Sequence, residues 1–158
     1  MMAISLFQPW AMLMVIGAKT IETRSWGTSH RGLLWIHAGL KTSNDLIDVW
    51  HTQPFKSMLW SAGIRRWQDL PRGAVIGKVE LVDCRKIVSP NDVVPDPKDF
   101  EREGGFMLPP ASPELEFGNY KSGRYAWITE APQRLSAPIP YKARQRIFRI
   151  PPQALGFT

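Results

Sequence analysis

Apolar and polar positions change their spacing several times along the chain. Residues 11–16 are all apolar and lie between Pro9 and Gly17. A proline suits the first turn of a helix, where its missing N–H would be unpaired, and a glycine suits the left-handed residue after the end. This predicts a short helix, and being apolar all round it should be buried. Residues 20–26 alternate and are rich in β-branched side chains, which predicts a strand, and residues 33–38 predict a second. In residues 43–63, Leu46, Val49 and Trp50 fall at helical spacing after a capping Ser43 or Asn44, and Pro54 argues for a break or a second short helix. Residues 74–82 give the clearest strand, running on towards Val88, and residues 124–129 and 146–150 give two more.

Between these strands, residues 89–123 carry prolines at 90, 95, 97, 109, 110 and 113, and read as a long excursion with little regular structure. The tail from Pro151 reads as a loose end. Five or more short strands with two or three helices, and no repeating strand–helix–strand unit, predict a mixed α/β domain built on a small closed or half-closed β-barrel.

The 158 residues suit one domain, residues 1–150, with 151–158 as its tail. Hydrophobic residues at 44% and charged residues at 22% exclude a disordered or fibrous chain. There is no apolar run of membrane-spanning length, and the first positive charge, Lys19, follows the apolar stretch instead of preceding it as in a secretory signal. The single cysteine, Cys84, leaves no internal disulfide and suits a reducing cytoplasm.

Charge changes the picture further. The net charge is +6, unevenly placed: residues 1–86 hold 11 basic and 6 acidic side chains, residues 87–116 hold 2 and 7, and residues 117–158 hold 7 and 1. An acidic segment thus interrupts two basic ones, which favours a polyanionic partner, most often nucleic acid. Seven tryptophans accompany this charge. Trp10, Trp26, Trp35, Tyr125 and Trp127 fall at the ends or faces of predicted elements, where a ring can stack on an unpaired base or simply pack the core.

The densest polar cluster is Lys19, Glu22 and Arg24. Strand residues at i and i+2 share a face, so Glu22 and Arg24 point the same way, with Thr20 and Trp26, and Lys19 sits at the preceding turn. Arginine suits a phosphate or base edge, lysine a point charge or general base, and glutamate a proton carrier. A solvated strand face with a cross-pair has the same spacing. His37 shares a face with Trp35 and Leu33 and reads first as a hydrogen-bonded core residue. His30 and His51 have no partner at a metal-ligand spacing, so no metal site is expected beyond a weak Mg²⁺ or Mn²⁺ site of carboxylates, relevant only to a nuclease. Cys84 lacks a sequence-local base.

The run Gly17-Ala18-Lys19-Thr20-Ile21-Glu22-Thr23-Arg24 resembles the G-x-K-x-x-E-x-R signature of the ASCH domain family, within the PUA-like superfamily. Four more blocks resemble it in the family's order: Ser5-Leu6-Phe7-Gln8-Pro9-Trp10, Leu34-Trp35-Ile36-His37-Ala38, residues 73–79, and Gly123-Arg124-Tyr125-Ala126-Trp127. The resemblance implies a PUA-like β-barrel with a cleft beside the first helix, lined by Lys19, Glu22 and Arg24. It implies recognition of RNA or a modified nucleoside, with single-stranded DNA as a further partner. Gln8, Trp10, Lys19, Arg24, Trp26, His37, Arg124 and Tyr125 are then the expected nucleic-acid contacts. Some relatives are metal-dependent ribonucleases, and others hydrolyse N4-acetylcytidine with a Lys and a Thr of this motif plus a Glu elsewhere. Here Lys19 matches that Lys, but Glu22 stands at the nucleophilic Thr position, which puts binding ahead of hydrolysis. In a hydrolase Lys19 and Glu22 would be the catalytic pair, with Glu80 or Glu130 as candidates for the second Glu. The turn 142–146 also departs from the family in carrying extra arginines, and the 89–123 insertion is expected to cover the cleft or to mimic a polyanion in it.

Overall fold

The computed structural model of the chain describes residues 1–89 and 105–157. The strands are β1 (Met2–Leu6), β2 (Ile21–Arg24), β3 (Gly32–Ala38), β4 (Ala74–Ile87), β5 (Phe106–Met107), β6 (Tyr125–Pro140) and β7 (Ile147–Arg149). The helices are α1 (Trp10–Val15), α2 (Asn44–His51) and α3 (Phe55–Ser61). The strands form one sheet in the order β2-β6-β4-β3-β1-β7, with β5 added alongside β4. Pairing is antiparallel except for β1 with β3 and β4 with β5. This is a mixed α/β fold on a curled, half-barrel sheet, as the strand count predicts.

The long strands β4 and β6 pair along most of their length, and their register slips at three places. Such bulges bend a sheet and strengthen its twist. They let β6 run through Pro132 and Pro138, whereas the local pattern predicts a strand only to residue 129. The curl wraps α1, whose Ala11, Met12, Leu13, Met14 and Val15 are all buried as expected. Gly17 follows it with φ +79°. Helix α1 lies close on β4 at Gly77, where an added Cβ would stand 2.6 Å from Val15 Cγ1 and 2.5 Å from the Gln133 carbonyl oxygen. Only glycine fits there.

The sheet buries both faces. Ile4 and Ile36 join the main core with α1, while their neighbours Ala3 and Trp35 join a second cluster with Val75 and Phe148. Alternation along a strand sends these neighbours to opposite faces. Trp35 is therefore a core ring, 2% exposed, and is unavailable for stacking. The C-terminal segment, expected as a loose end, forms a 3-10 turn at Pro152–Leu155 and buries Leu155 in the second cluster. Strand β1 has no counterpart among the predicted elements, because its five residues do not alternate clearly.

The expected excursion needs the largest correction. Its part at 90–104 lies outside the described residues. From Gly105 onward it adds β5 and a 3-10 turn at Glu114–Phe117. Phe117 is 1% exposed and meets Phe55 of α3 edge-on, with ring centroids 5.0 Å apart.

His37, 1% exposed, ties β3 to its surroundings. Its Nε2 lies 2.8 Å from the Tyr141 carbonyl oxygen and its Nδ1 3.0 Å from Ser5 Oγ. A carbonyl only accepts, so Nε2 carries the proton and Nδ1 accepts from the Ser5 hydroxyl. Burial holds the imidazole below its ordinary value near 6.5, against a smaller opposing effect of the Tyr141 carbonyl.

Two outcomes are expected. Phe117→Ala should lower unfolding stability by about 3–5 kcal/mol, the usual effect of emptying a buried aromatic site. A loss below about 1 kcal/mol in urea denaturation would place the 114–119 segment outside the core. Below pH 6.5 the unfolded chain takes up the His37 proton before the folded one does. Stability should therefore fall with pH, by at most about 1.4 kcal/mol per unit from this residue. Urea midpoints across pH 5–8 should show a shallower slope for His37→Gln than for the parent, and equal slopes would contradict the assignment.

Candidate functional site

Strand β2 alternates buried and half-buried residues, so Glu22 and Arg24 share one face as the spacing predicts. Their register partners on β6 are Trp127 and Tyr125. Directly paired residues of an antiparallel ladder project from the same side. The charged pair thus stands beside a fully buried tryptophan, at the rim of the core.

Lys19 is the deepest of the charged groups, at 1% exposure. The turn after α1 aims it inward, where its ammonium donates to the Ile21 carbonyl. Nζ lies 3.6 Å from Glu22 Oε2 and 4.0 Å from Glu114 Oε1. Glu22 Oε1 in turn lies 3.1 Å from Arg24 Nε, an ionic contact without a directed hydrogen bond. Arg24 Nη2 donates to the Ser5 carbonyl at 2.8 Å. Since β2 is one end of the sheet and β1 lies near the other, this guanidinium ties the two ends together across the open side.

Glu114 is marked in the sequence only by the acidic charge of its segment. It comes from the Pro-rich segment, where no periodicity marks it. Its Oε2 accepts from the Thr20 N–H at 2.8 Å and the Thr20 hydroxyl at 3.0 Å, and its Oε1 accepts from the Ile21 N–H at 3.0 Å. The Tyr120 hydroxyl stands 3.5 Å from Oε1. Burial, then the Glu114 and Glu22 carboxylates, push the Tyr120 phenol above its ordinary range, so it stays a proton donor. Glu80 and Glu130, the sequence candidates for a second carboxylate, are exposed, face each other in the β4–β6 register, and lie outside the pocket lining.

Next to this charged array opens a pocket of about 360 Å³ lined by Ser5, Leu6, Phe7, Trp10, Glu22, Thr23, Arg24 and residues 116–119. Trp10 is braced edge-on by Phe55 at 5.8 Å. Phe7 is 46% exposed, with Lys41 Nζ 5.3 Å from its ring centroid. Asn119 is held in place by its N–H donating to Thr23 Oγ1 and by Arg124. Arg124 Nε donates to the Asn119 carbonyl and its Nη2 to the Thr23 carbonyl, each at 3.1 Å.

The expected contacts therefore divide. Trp10, Glu22 and Arg24 line the pocket. Lys19 lies behind it and Arg124 supports its rim. Gln8, fully buried, caps α1 through the Met12 N–H and donates to the Pro71 carbonyl. His37 is the scaffold tie described above. Trp26 and Tyr125 lie outside the lining; Trp26 packs edge-on against Trp127 at 4.8 Å with Arg146 over its ring. Phe7, Thr23 and Asn119 complete the pocket, and no sequence pattern singles them out. Cys84 is buried, accepts the Thr28 N–H, and has its thiol pushed up by burial. Among the described residues, no three His, Cys, Asp or Glu side chains gather as metal ligands. No helix among them is long and apolar enough to cross a membrane.

Comparison with known proteins gives this geometry a context. The chain is 30% identical over 147 residues to activating signal cointegrator 1 of Homo sapiens, and equally to that of Mus musculus. The match covers 93% of this chain but only 22% of those proteins, so the chain spans about a fifth of the curated relatives' length. The crystal structure of ASCH from Zymomonas mobilis superposes with a TM-score of 0.50 at 16% identity, covering 98% of this chain and 90% of that one. A point mutant of the same Zymomonas protein gives 0.49 at 16% identity, with 98% and 93% covered. Residues 4–138 match the ASCH domain. With the signature residues 17–24 now seen to build one charged array beside one pocket, the chain belongs to the ASCH domain family.

Proposed function

We propose that this protein binds RNA and takes one unpaired nucleotide of it into the pocket beside α1. The observation that supports this most is the meeting, in one lining, of the Glu22–Arg24 pair with the rings of Phe7 and Trp10. A ring wall stacks on any base, and a guanidinium beside a carboxylate offers both a donor and an acceptor to a base edge. About 360 Å³ is at the small end of ligand sites and suits a single nucleotide better than a duplex. Lys41, held over the Phe7 ring of the lining, adds positive charge beside the pocket. The overall excess of +6 steers a polyanion to the surface. Single-stranded DNA shares the bases and phosphates and is the weaker candidate only through its missing 2′-hydroxyl.

A hydrolytic role for Lys19 and Glu22 on N4-acylated cytidine fits less well. Lys19 is 1% exposed and absent from the pocket lining, and its ammonium is engaged by the Ile21 carbonyl and two carboxylates. It serves as the anchor of Glu22, which in turn sets the angle of Arg24.

Fluorescence anisotropy with a labelled single-stranded RNA tests the binding reading. Affinity should fall steeply between about 50 mM and 200 mM salt, and Trp10→Ala should weaken binding by about 1–3 kcal/mol, the value of one stacked base. Arg24→Gln should weaken it as well. No binding at low salt, or full affinity in Trp10→Ala, would contradict the proposal.

A further inference from the structure

The Glu114 carboxylate occupies an unusual set of donors. Successive N–H groups of a regular strand point to opposite sides. Here the consecutive N–H groups of Thr20 and Ile21 both reach one carboxylate, at 2.8 and 3.0 Å, so the chain turns just as β2 begins and aims both the same way. The Thr20 hydroxyl adds a third donor at 3.0 Å. The Lys19 ammonium, almost wholly buried, stands 4.0 Å behind. Paired backbone N–H groups with a hydroxyl and a lysine are the donor set that cradles a phosphate. The group now in that cradle is itself an anion, brought from 94 residues away in sequence by the acidic segment.

Two features favour an exchange at this carboxylate. Glu114 is the first residue of its 3-10 turn, and the turn is anchored at its other end by Phe117 in the core. Glu114 at the cradle and Phe117 in the core thus sit at opposite ends of the turn. The cradle also adjoins the pocket, since the same Lys19 ammonium meets Glu114 on one side and pocket-lining Glu22 on the other.

We propose that the Thr20 and Ile21 N–H groups, the Thr20 hydroxyl and Lys19 form a phosphate site that Glu114 plugs as an internal phosphate mimic. The phosphate is one of the RNA strand whose base enters the neighbouring pocket, and this assignment of its source rests on the RNA-binding reading. Binding then requires an exchange of one anion for another, so the chain discriminates against weak or single phosphates and yields only to a strand already held by its base.

The test compares the full chain with Glu114→Ala, which vacates the cradle, and Glu114→Gln, which removes only the charge and reads the same quantities if the alanine variant fails to fold. Inorganic phosphate is titrated while the Thr20 and Ile21 amide resonances are followed by NMR. Both amides should shift in the variants and stay still in the parent. Unshifted amides in the folded variants would overturn the phosphate site whatever the RNA result. Labelled single-stranded RNA forms the second arm. Its affinity should rise in the variants, because the phosphate no longer has to displace the carboxylate. A gain in affinity that survives Thr20→Val undiminished in the Glu114→Ala background would be general charge attraction and would overturn the plug. Shifted amides with RNA bound by neither protein would keep the phosphate site and refute its nucleic-acid source along with the RNA-binding reading.

Discussion

A buried ammonium is costly unless carboxylates and carbonyls surround it, and Lys19 brings one into the core of this domain. Its neutralisation dictates the arrangement around it. Glu22 must face it from β2, Glu114 must approach it from a distant segment, and the Ile21 carbonyl must turn towards it. Glu22 then has one oxygen left for Arg24, and Arg24 reaches across to the Ser5 carbonyl of β1. A single charge thus links the first helix, both ends of the curled sheet and the acidic segment. Removing one partner would leave another charge stranded, and such losses amount to about 3–5 kcal/mol when the group is buried.

The same array separates support from contact. Lys19 and Arg124 hold the frame, while Glu22, Arg24, Trp10 and Phe7 face the opening. Holding charged groups from behind keeps them ordered before a ligand arrives, so less freedom is lost on binding. The acidic segment takes part on both sides. Phe117 packs in the core, Gly118 and Asn119 form a wall of the pocket, and Glu114 satisfies the exposed edge of β2, which would otherwise present unpaired backbone groups.

Local rules read well where local physics decides. The apolar run at residues 11–16, bounded by Pro9 and Gly17, marks α1 because its burial and its ends are written within nine residues. The i, i+2 relation of Glu22 and Arg24 is a property of any strand, and the two side chains do meet. What escaped depends on contacts distant in sequence. Strand β6 crosses two prolines because bulges against β4 absorb them. Leu155 is buried because β1, β3 and β7 present an apolar outer face for it. Glu114 and Phe117 lie in a proline-rich stretch without period, and their partners are about sixty to ninety-five residues away. Their one local signal is an acidic segment opposite a basic motif. Gln8 and His37 show the converse: a polar side chain at a position that resembles a contact also satisfies a helix end or a buried carbonyl, and the sequence alone does not separate the two roles.

The central claim is that a charged array, buried from behind, presents a ring-walled pocket to one nucleotide. A crystal structure of the protein with a short single-stranded RNA tests it most directly. The account predicts one base seated against Trp10 and Phe7, with Arg24 within hydrogen-bond distance of the nucleotide and Lys19 touching no base. An empty pocket, with the RNA lying instead over the exposed Trp60 of α3 and its Arg65 neighbour or along the outer sheet, would contradict it.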